Sequence, residues 1–277
     1  MAEAPVVGII AKHNSAPAHS LAARLIDNLD DGVSVMVDEA TADALGRQGS
    51  PVSALTEADL VVSIGGDGTF LFAVREVGGT PIVGVNLGEV GFLNAVSPDE
   101  APEIVSSLVE RLRQNGSLEG RTRRRIVARG DGWELVPALN EVLVQGRRRG
   151  PAGGAEFEIR VDGRRYERTA ADGVLVATPT GSTAYNLSED GSLLSPELAG
   201  LTITPMCSRE GVAPLIVDEN SSLSVTVTGC EEAVAIADGR TIEPLSPPAT
   251  VDVELTDEPV TVVGPPVDFF QALEKLR

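Results

Sequence analysis

The sequence predicts two domains: an α/β N-terminal domain with an open, mostly parallel sheet, and a β-rich C-terminal domain. Up to about residue 120, short apolar runs alternate with helical segments, which is typical of a parallel sheet covered by helices. Beyond it, short strand-like segments separated by turn residues dominate. We therefore expect an α/β domain at residues 1–120 and a β-rich domain at 121–264.

In the first domain, continuous apolar runs predict buried parallel strands, and apolar residues three or four apart predict helices. The predicted strands are 6–10, 33–37, 60–64 and 82–85, and the predicted helices are 20–29, 69–77 and 98–113. Ligands of such sheets bind beyond the carboxyl ends of the strands, so the turn after residue 64 is a candidate site.

In the second domain, eight strands are predicted, at 125–128, 139–144, 157–161, 174–177, 201–204, 223–228, 234–237 and 251–255. One helix is predicted at 269–276, within a C-terminal segment at about 265–277. The pattern alone leaves open whether this helix caps the second domain or returns to the first.

The composition excludes several functions. A net charge of −19 disfavours nucleic acid as a partner, because the average field repels phosphate. No apolar run approaches a membrane span and no signal peptide is evident, so we expect a cytoplasmic protein without a membrane partner.

Lys12 and Lys275 are the only lysines. The scarcity of lysine together with the excess of acidic residues indicates adaptation to high salt. An ordinary acidic protein with GC-biased codons is the alternative.

The turn formed by Gly65, Gly66, Asp67, Gly68 and Thr69 predicts phosphate chemistry. Its glycines let backbone N–H groups approach an anion, and the following helix presents its positive dipole end. A carboxylate repels phosphate, so Asp67 is expected to accept a proton from a hydroxyl or to hold a magnesium ion. The alternative is a tight turn in which Asp67 caps the helix.

Two further polar motifs lie in the second domain. The run from Asp172 to Tyr185 passes through a loop whose hydroxyls suit ribose or phosphate oxygens, and Tyr185 offers a flat face for a ring. An ordinary Ser/Thr-rich turn is an equal alternative. The adjacent Asn140 and Glu141 can hold a ribose diol or an adenine edge, although a surface pair on an edge strand is the commoner explanation.

Taken together, these motifs resemble the NAD kinase family. The resemblance rests on the turn at 65–69, the segments 84–88 and 91–93, the Asn140-Glu141-Val142 triplet, and the runs 172–173 and 178–185. It covers about residues 60–194. The glycine turn alone is weak, because several lipid and sugar kinases carry similar turns, whereas the run ending in Tyr185 is specific.

The resemblance implies ATP-dependent phosphorylation of NAD at the 2′-hydroxyl of its adenosine ribose, with Mg²⁺ accompanying ATP. Asp67 is then the general base. The implied substrate-binding residues are Gly65, Gly66, Gly68, Thr69, Phe92, Asn140, Glu141, Asp172, Thr183, Ala184, Tyr185, Asn186 and Ser188. The counterpart of Asp172 often contacts nicotinamide in a neighbouring subunit, which implies a homodimer or homotetramer. The C-terminal helix is implied to pack back on the first domain.

The chain departs from the family pattern at three places. Glu189 and Asp190 stand where a Gly-Gly-Pro-like turn is usual, Arg240 replaces a glutamine, and Arg209 replaces a histidine. The departures at Asp190 and Arg240 keep open a non-catalytic regulator that binds NAD(H). The shared glycine turn keeps open a second alternative, a lipid or sugar kinase.

Overall fold

The computed structural model describes residues 4–88, 91–148, 150 and 154–274. The chain forms two compact units. The first unit contains the chain up to Arg123 and again from Glu258, and the second contains Arg124–Asp257. No helix among the described residues is both long enough and apolar enough to cross a membrane.

The first unit is α/β, as its sequence pattern predicts. Its elements up to residue 123 are β1 (Val6–Ala11), α1 (Ala16–Asn28), β2 (Ser34–Val37), α2 (Glu39–Leu45), a 3-10 turn (Val52–Glu57), β3 (Leu60–Gly65), α3 (Asp67–Val77), β4 (Ile82–Asn86), α4 (Ala101–Asn115) and β5 (Arg121–Arg123). Helix α1 begins four residues before the predicted start, because Ser15 caps it and a proline occupies its first turn.

The second unit is β-rich. Its strands are β6 (Ile126–Gly130), β7 (Trp133–Glu134), β8 (Glu141–Gly146), β9 (Ala155–Val161), β10 (Arg164–Ala171), β11 (Gly173–Ala177), β12 (Gly200–Met206), β13 (Leu215–Asp218), β14 (Leu223–Thr228), β15 (Ala233–Ala237), β16 (Thr241–Leu245) and β17 (Ala249–Leu255). A 3-10 turn (Gly181–Thr183) and the short helix α5 (Tyr185–Ser188) follow β11. The chain then returns to the first unit with β18 (Val260–Val262) and α6 (Phe269–Glu274). The last residues of the predicted helix 269–276 lie outside the described part.

The sheet of the first unit has the order β2-β1-β3-β4-β18-β5. Strands β2, β1, β3 and β4 are mutually parallel, β18 is parallel to β4, and β5 alone runs antiparallel. The expectation of a mostly parallel sheet is therefore confirmed. Parallel order brings the carboxyl ends of β1, β3 and β4 to one edge, where the glycine turn follows β3.

Two antiparallel sheets build the second unit, with the orders β10-β9-β14-β17-β6-β7 and β13-β12-β11-β8-β15-β16. Their facing side chains form one core, in which Phe157 and Ile159 of the first sheet pack with Val144 and Val174 of the second. Strand β8 lies in the middle of its sheet, between β11 and β15. The opposite face of β8 and β11 is also buried, so residues at the start of β8 are shielded from water.

Candidate functional site

Asp67 is held by a neighbouring loop and does not cap its own helix. Its carboxylate accepts the backbone N–H of Phe92 at 3.2 Å, that of Leu93 at 3.4 Å and the side-chain amide of Asn94 at 3.0 Å. Gly66 is the N-cap of α3, and no side chain caps that helix. Burial raises the pKa of Asp67, although the three hydrogen bonds act in the opposite direction. The helix-cap interpretation is therefore wrong.

The glycines of the turn differ in what surrounds them. A Cβ at Gly65 would lie 2.3 Å from Oγ1 of Thr69, so packing alone requires glycine there. At Gly66 and Gly68 a Cβ would meet none of the described residues within 4 Å. The φ of Gly66 is −106°, which any residue can adopt. Packing thus explains Gly65, whereas open space beside Gly66 and Gly68 suits the close approach of a ligand to the backbone.

Lys12 adds a cation to this edge of the sheet. It directly follows β1, and its backbone N–H donates to the carbonyl of Ile64 at 2.8 Å. A Cβ at Gly65 would lie 3.2 Å from the Cβ of Lys12. The residue is exposed, and it is one of only two lysines in 277 residues. The sequence pattern does not link Lys12 to the turn, because that link depends on the pairing of β1 with β3.

In the second unit, Asn140 and Glu141 lie at the start of the central strand β8. Each is only 7% exposed. Oδ1 of Asn140 and Oε2 of Glu141 are buried and have no hydrogen-bond partner among the described residues. An edge-strand surface pair is therefore the wrong interpretation. Buried polar atoms that lack partners are unfavourable unless a ligand or water completes them, so this pair is a candidate binding site.

Asp238 fixes the backbone of that pair. Its carboxylate accepts the backbone N–H groups of Leu139 and Asn140, both at 2.8 Å, and that of Glu141 at 3.2 Å. Burial raises the pKa of Asp238, against which these bonds and the charge of Arg125 act. Burial and the nearby Asp238 together raise the pKa of Glu141 to about 8. The carboxyl of Glu141 is therefore mostly protonated at neutral pH and can donate a hydrogen bond.

The hydroxyl-rich turn after β11 packs against the Asn140–Glu141 pair. The backbone N–H of Thr178 donates to the carbonyl of Asn140 at 2.9 Å, and its hydroxyl donates to the carbonyl of Leu139 at 2.6 Å. A Cβ at Gly181 would lie 2.1 Å from the carbonyl oxygen of Asn140. Two motifs that are far apart in sequence thus form one structure. The hydroxyl of Ser182 also bonds within the turn, to the carbonyl of Pro179, so part of this motif is structural.

The residues from Thr183 to Ser188 continue the turn into α5. Asn186 is fully buried, and its amide donates to the carbonyls of Ser182 and Ser192 while its carbonyl accepts from Thr204 at 2.7 Å. Its side chain therefore holds the loop together. The half-buried Tyr185 packs beside Leu143, Leu175 and Met206. Thr183 and Ala184 are half-buried and Ser188 is exposed, so these three remain accessible to a ligand.

Asp172 lies between β10 and β11. Its carboxylate accepts the backbone N–H of Gly150 at 2.8 Å. It lines a cavity of about 570 Å³ in the second unit, together with Arg209, Cys207 and Glu156. This volume is in the range of small-molecule sites.

Comparison with known proteins identifies the family. Residues 7–112 match the model of the ATP-NAD kinase N-terminal domain, and residues 139–264 match that of the C-terminal domain. The chain is 52% identical to an NAD kinase from Halorubrum lacusprofundi and 51% identical to one from Haloarcula marismortui, covering 98% of this chain and 99% of each relative. The chain belongs to the NAD kinase family.

Solved structures of the NAD kinase family agree with this fold. An NAD kinase from Archaeoglobus fulgidus in complex with ATP is 26% identical, with a TM-score of 0.77 and coverage of 99% of this chain and 98% of that one. Yeast NADH kinase, complexed with NADH, shares the fold with a TM-score of 0.86 at 24% identity, covering 99% of this chain and 88% of that one. The first two relatives come from halophilic archaea, as the acidic, lysine-poor composition predicts.

The structure shows where the residues that depart from the family pattern lie. Asp190 adopts a positive φ of 57°, and a Cβ at Gly191 would lie 2.0 Å from the side chain of Asn186, so this turn is built around a glycine. Arg209 lines the cavity beside Asp172. Arg240 is exposed and its backbone N–H closes a turn onto Ala237.

Proposed function

We propose that this chain is an NAD kinase that transfers the γ-phosphoryl group of ATP to the 2′-hydroxyl of the adenosine ribose of NAD. The observation that carries this proposal is the state of Asp67. Three donors orient its carboxylate, no helix cap uses it, and burial raises its pKa. A carboxylate of raised pKa in a fixed orientation is suited to act as a general base.

In the proposed step, the 2′-hydroxyl oxygen forms a bond to the γ-phosphorus as the bond from that phosphorus to the β-phosphate oxygen breaks. ADP leaves with the electron pair, and the hydroxyl proton passes to Asp67. General-base help of this kind typically contributes ~10²–10⁴-fold. The remaining acceleration comes from holding the hydroxyl in line with the γ-phosphate.

The donor side is assigned to the glycine turn. Gly65 gives the turn its shape, and the backbone at Gly66, Gly68 and Thr69 borders space into which a phosphate can approach. We assign to Lys12 the attraction of the triphosphate, since it directly follows the strand beside this turn. A lysine acts on phosphate as a point charge.

Recognition of NAD is assigned to the following residues: Phe92, Asn140, Glu141, Asp172, Thr183, Ala184, Tyr185, Asn186 and Ser188. The neutral Glu141 donates a hydrogen bond and Asn140 supplies an amide, which together match the donors and acceptors of a ribose diol. Asn186 contributes through the loop that its side chain organises.

Phosphoryl transfer from ATP in this family involves a divalent metal, and we propose Mg²⁺. Across the part of the chain that the structure describes, no group of three or more His, Cys, Asp or Glu side chains is placed to hold a metal ion. Magnesium usually binds through one or two carboxylates plus substrate phosphates, so a protein cage is not needed. When bound to ATP, it neutralises charge on the phosphates.

We also propose that the protein is a homodimer or homotetramer, in which Asp172 contributes to the NAD site of a neighbouring subunit. The cavity beside Asp172 supports this assignment, because it leaves room for a ligand next to the Asp172 carboxylate. Among the described residues, the backbone N–H of Gly150 donates to one oxygen of that carboxylate at 2.8 Å, so the carboxylate can accept further hydrogen bonds. We propose the cytoplasm as the compartment of the reaction.

The test is an assay of NADP formation at high salt with ATP and Mg²⁺, run on the natural chain, Asp67→Asn and Asp43→Asn. Asp43 is an exposed residue of α2 and controls for a lost surface charge. We expect Asp67→Asn to keep its fold and its NAD affinity and to lose at least a hundredfold in kcat. Near-normal turnover in Asp67→Asn would falsify the assignment of the base.

Acceptor specificity separates the remaining alternatives. The same assay is run with NAD, NADH, diacylglycerol and fructose 6-phosphate as acceptors. We expect phosphorylation of the dinucleotides only. Transfer to the lipid or the sugar would favour a kinase of another class, and tight NAD binding without NADP formation would favour a non-catalytic regulator.

A further inference from the structure

A cluster of phenylalanines joins the C-terminal helix to the loop that holds Asp67. The ring of Phe269, the first residue of α6, lies 6.1 Å from the ring of Phe92 at an interplanar angle of 61°. Phe270 lies 5.6 Å from Phe269 at 74°. Both are edge-to-face contacts within the preferred distance range. The chain has six phenylalanines, so half of them meet here.

Phe92 also takes part in holding Asp67. Its backbone N–H donates to Oδ2 of Asp67, and the next N–H, that of Leu93, donates to Oδ1. The preceding residue, Gly91, is so close that a Cβ there would lie 2.4 Å from the Asp67 carboxylate. The ring that meets Phe269 and the N–H that meets the carboxylate therefore belong to one residue. A contact that fixes the ring of Phe92 therefore also restricts the backbone N–H that orients the Asp67 carboxylate.

The burial pattern supports a specific use of Phe269. Phe92 and Phe269 are both half-buried, so neither ring is enclosed in the core and each retains surface for other contacts. Phe270, by contrast, is 76% exposed. Ala272, on the same helix, is also buried, so the rings are not the sole buried surface of α6.

We propose that Phe269 is a positioning residue of the kinase reaction: through the ring of Phe92 it fixes the 91–94 segment, and with it the Asp67 carboxylate. This inference rests on the proposed function. It makes the C-terminal helix part of the active-site support, a role that neither the motifs nor the family likeness assigns to it.

The first test compares Phe269→Ala, Phe269→Leu and Phe269→Tyr with Gln271→Ala, an exposed control on the same helix. We expect kcat/KM for NAD to fall roughly two- to tenfold in Phe269→Ala, the ratio that corresponds to one edge-to-face pair. Phe269→Leu keeps apolar volume without a ring and falls similarly, which covers the case that the alanine variant unfolds. Phe269→Tyr keeps the ring and remains within twofold of the natural chain. Equal kinetics in Phe269→Ala, Phe269→Leu and Gln271→Ala would overturn the proposal.

The second readout is the pH profile of kcat/KM. The groups that act on the Asp67 carboxylate are its own burial, the N–H groups of Phe92 and Leu93 and the amide of Asn94; no charged side chain of the described residues is among them. Burial raises the pKa of Asp67 and the hydrogen bonds lower it, so loosening the loop changes both influences and shifts the acid limb of the profile. If Phe269 has only a structural role, the acid limb of the pH profile does not move. An unmoved acid limb in Phe269→Leu therefore counts against a positioning role.

A double-mutant cycle with Phe92→Ala tests the route of the effect. If Phe269 acts through Phe92, the double variant is no slower than Phe92→Ala alone. Multiplied losses would show that Phe269 acts by another route and would overturn the proposal. Failure of the proposed function is distinguishable: a natural chain that forms no NADP overturns that function. In that case, calorimetry of NAD binding to Phe269→Leu still tests the contact between Phe269 and Phe92. Loss of NAD affinity would show that this contact supports the binding site.

Discussion

The two candidate regions present opposite parts of the chain to a ligand. At the glycine turn of the first unit, the Asp67 side chain is engaged by three donors, while the backbone at Gly66 and Gly68 borders open space. At the start of β8 in the second unit, the backbone is engaged, because Asp238 accepts its three N–H groups. There the side chains of Asn140 and Glu141 keep atoms without partners.

This contrast matches what each region must recognise. Phosphates are bound well by backbone N–H groups and a helix N-terminus, which requires bare backbone and a carboxylate held in a fixed orientation. A ribose diol needs directed donors and acceptors, which side chains on a fixed backbone provide. The first region therefore depends on exposed backbone and one oriented carboxylate, and the second depends on the chemical identity of two side chains.

The largest effect expected from this contrast is a change in pH dependence when Glu141 becomes Gln. Because the pKa of Glu141 is raised to about 8, the folded state holds a proton that the unfolded state releases above about 4.5. The free energy of unfolding therefore falls as pH rises through that window, by at most about 1.4 kcal/mol per pH unit. Glu141→Gln removes this slope, so at pH 9 the variant is more stable than the natural chain.

The measurement is chemical unfolding in high salt between pH 5 and pH 9, with slopes compared between variants. Glu231→Gln, at an exposed position of the same unit, is the matched control and should keep the natural slope. An unchanged slope in Glu141→Gln would mean that Glu141 is ionised in the folded state. The assignment of its carboxyl as a hydrogen-bond donor to ribose would then be wrong.

The next largest effect is expected at the glycine turn, where alanine at Gly65 and alanine at Gly68 have opposite outcomes. Gly65→Ala places a methyl group 2.3 Å from Oγ1 of Thr69 and is expected to destabilise the fold by about 1–3 kcal/mol. In the part of the chain that the structure describes, Gly68→Ala meets no atom within 4 Å, and it lies in the first turn of α3, where alanine is favoured over glycine by up to about 1 kcal/mol. We expect Gly68→Ala to be as stable as the natural chain or more so, and to have a raised KM for ATP.

Thermal unfolding without ligand, alongside ATP kinetics, measures both outcomes. The pair separates packing from recognition, because the two substitutions add the same methyl group three residues apart. Normal ATP kinetics in Gly68→Ala would show that the open space beside it is not used by the donor.

The fold could be predicted where local pattern determines it. The runs at β1, β3 and β4 are continuously apolar because parallel strands are covered on both faces, and all three were predicted within one residue. Strand β10, Arg164–Ala171, was missed. It is an edge strand whose side chains are mostly charged or exposed, so it lacks both the apolar run and the alternation. Strand β18 was missed because three residues carry no periodicity.

The site could be predicted only as separate motifs. Glycine-rich and hydroxyl-rich runs identify Asp67 and the turn after β11, because their unusual composition is local. The supports of these residues are distant in sequence: Asp238 lies 98 residues from Asn140. Phe269 reaches Phe92 only through the folded chain. Such contacts are set by tertiary packing, and a single sequence gives no signal for them.

The smallest expected effect concerns the charge beside the glycine turn. Lys12→Met keeps much of the apolar stem and removes the ammonium group. Because Lys12 is exposed, its attraction for phosphate corresponds to about two- to fivefold in KM for ATP at low salt, the range of exposed ion pairs. We expect kcat and the KM for NAD to remain unchanged, since the proposed NAD contacts are not made by Lys12.

Salt distinguishes this charge effect from a packing effect. The Debye length falls from about 10 Å at 0.1 M to about 3 Å at 1 M, so the difference between Lys12→Met and the natural chain should shrink as salt rises. Arg24→Met, at an exposed position of α1, removes the same charge elsewhere and serves as the control. A difference that persists in molar salt would assign Lys12 a packing role at Gly65. If Lys12→Met changes the KM for NAD and not the KM for ATP, then ATP does not bind at the glycine turn. NAD would then be the ligand of the first region, and ATP that of the second.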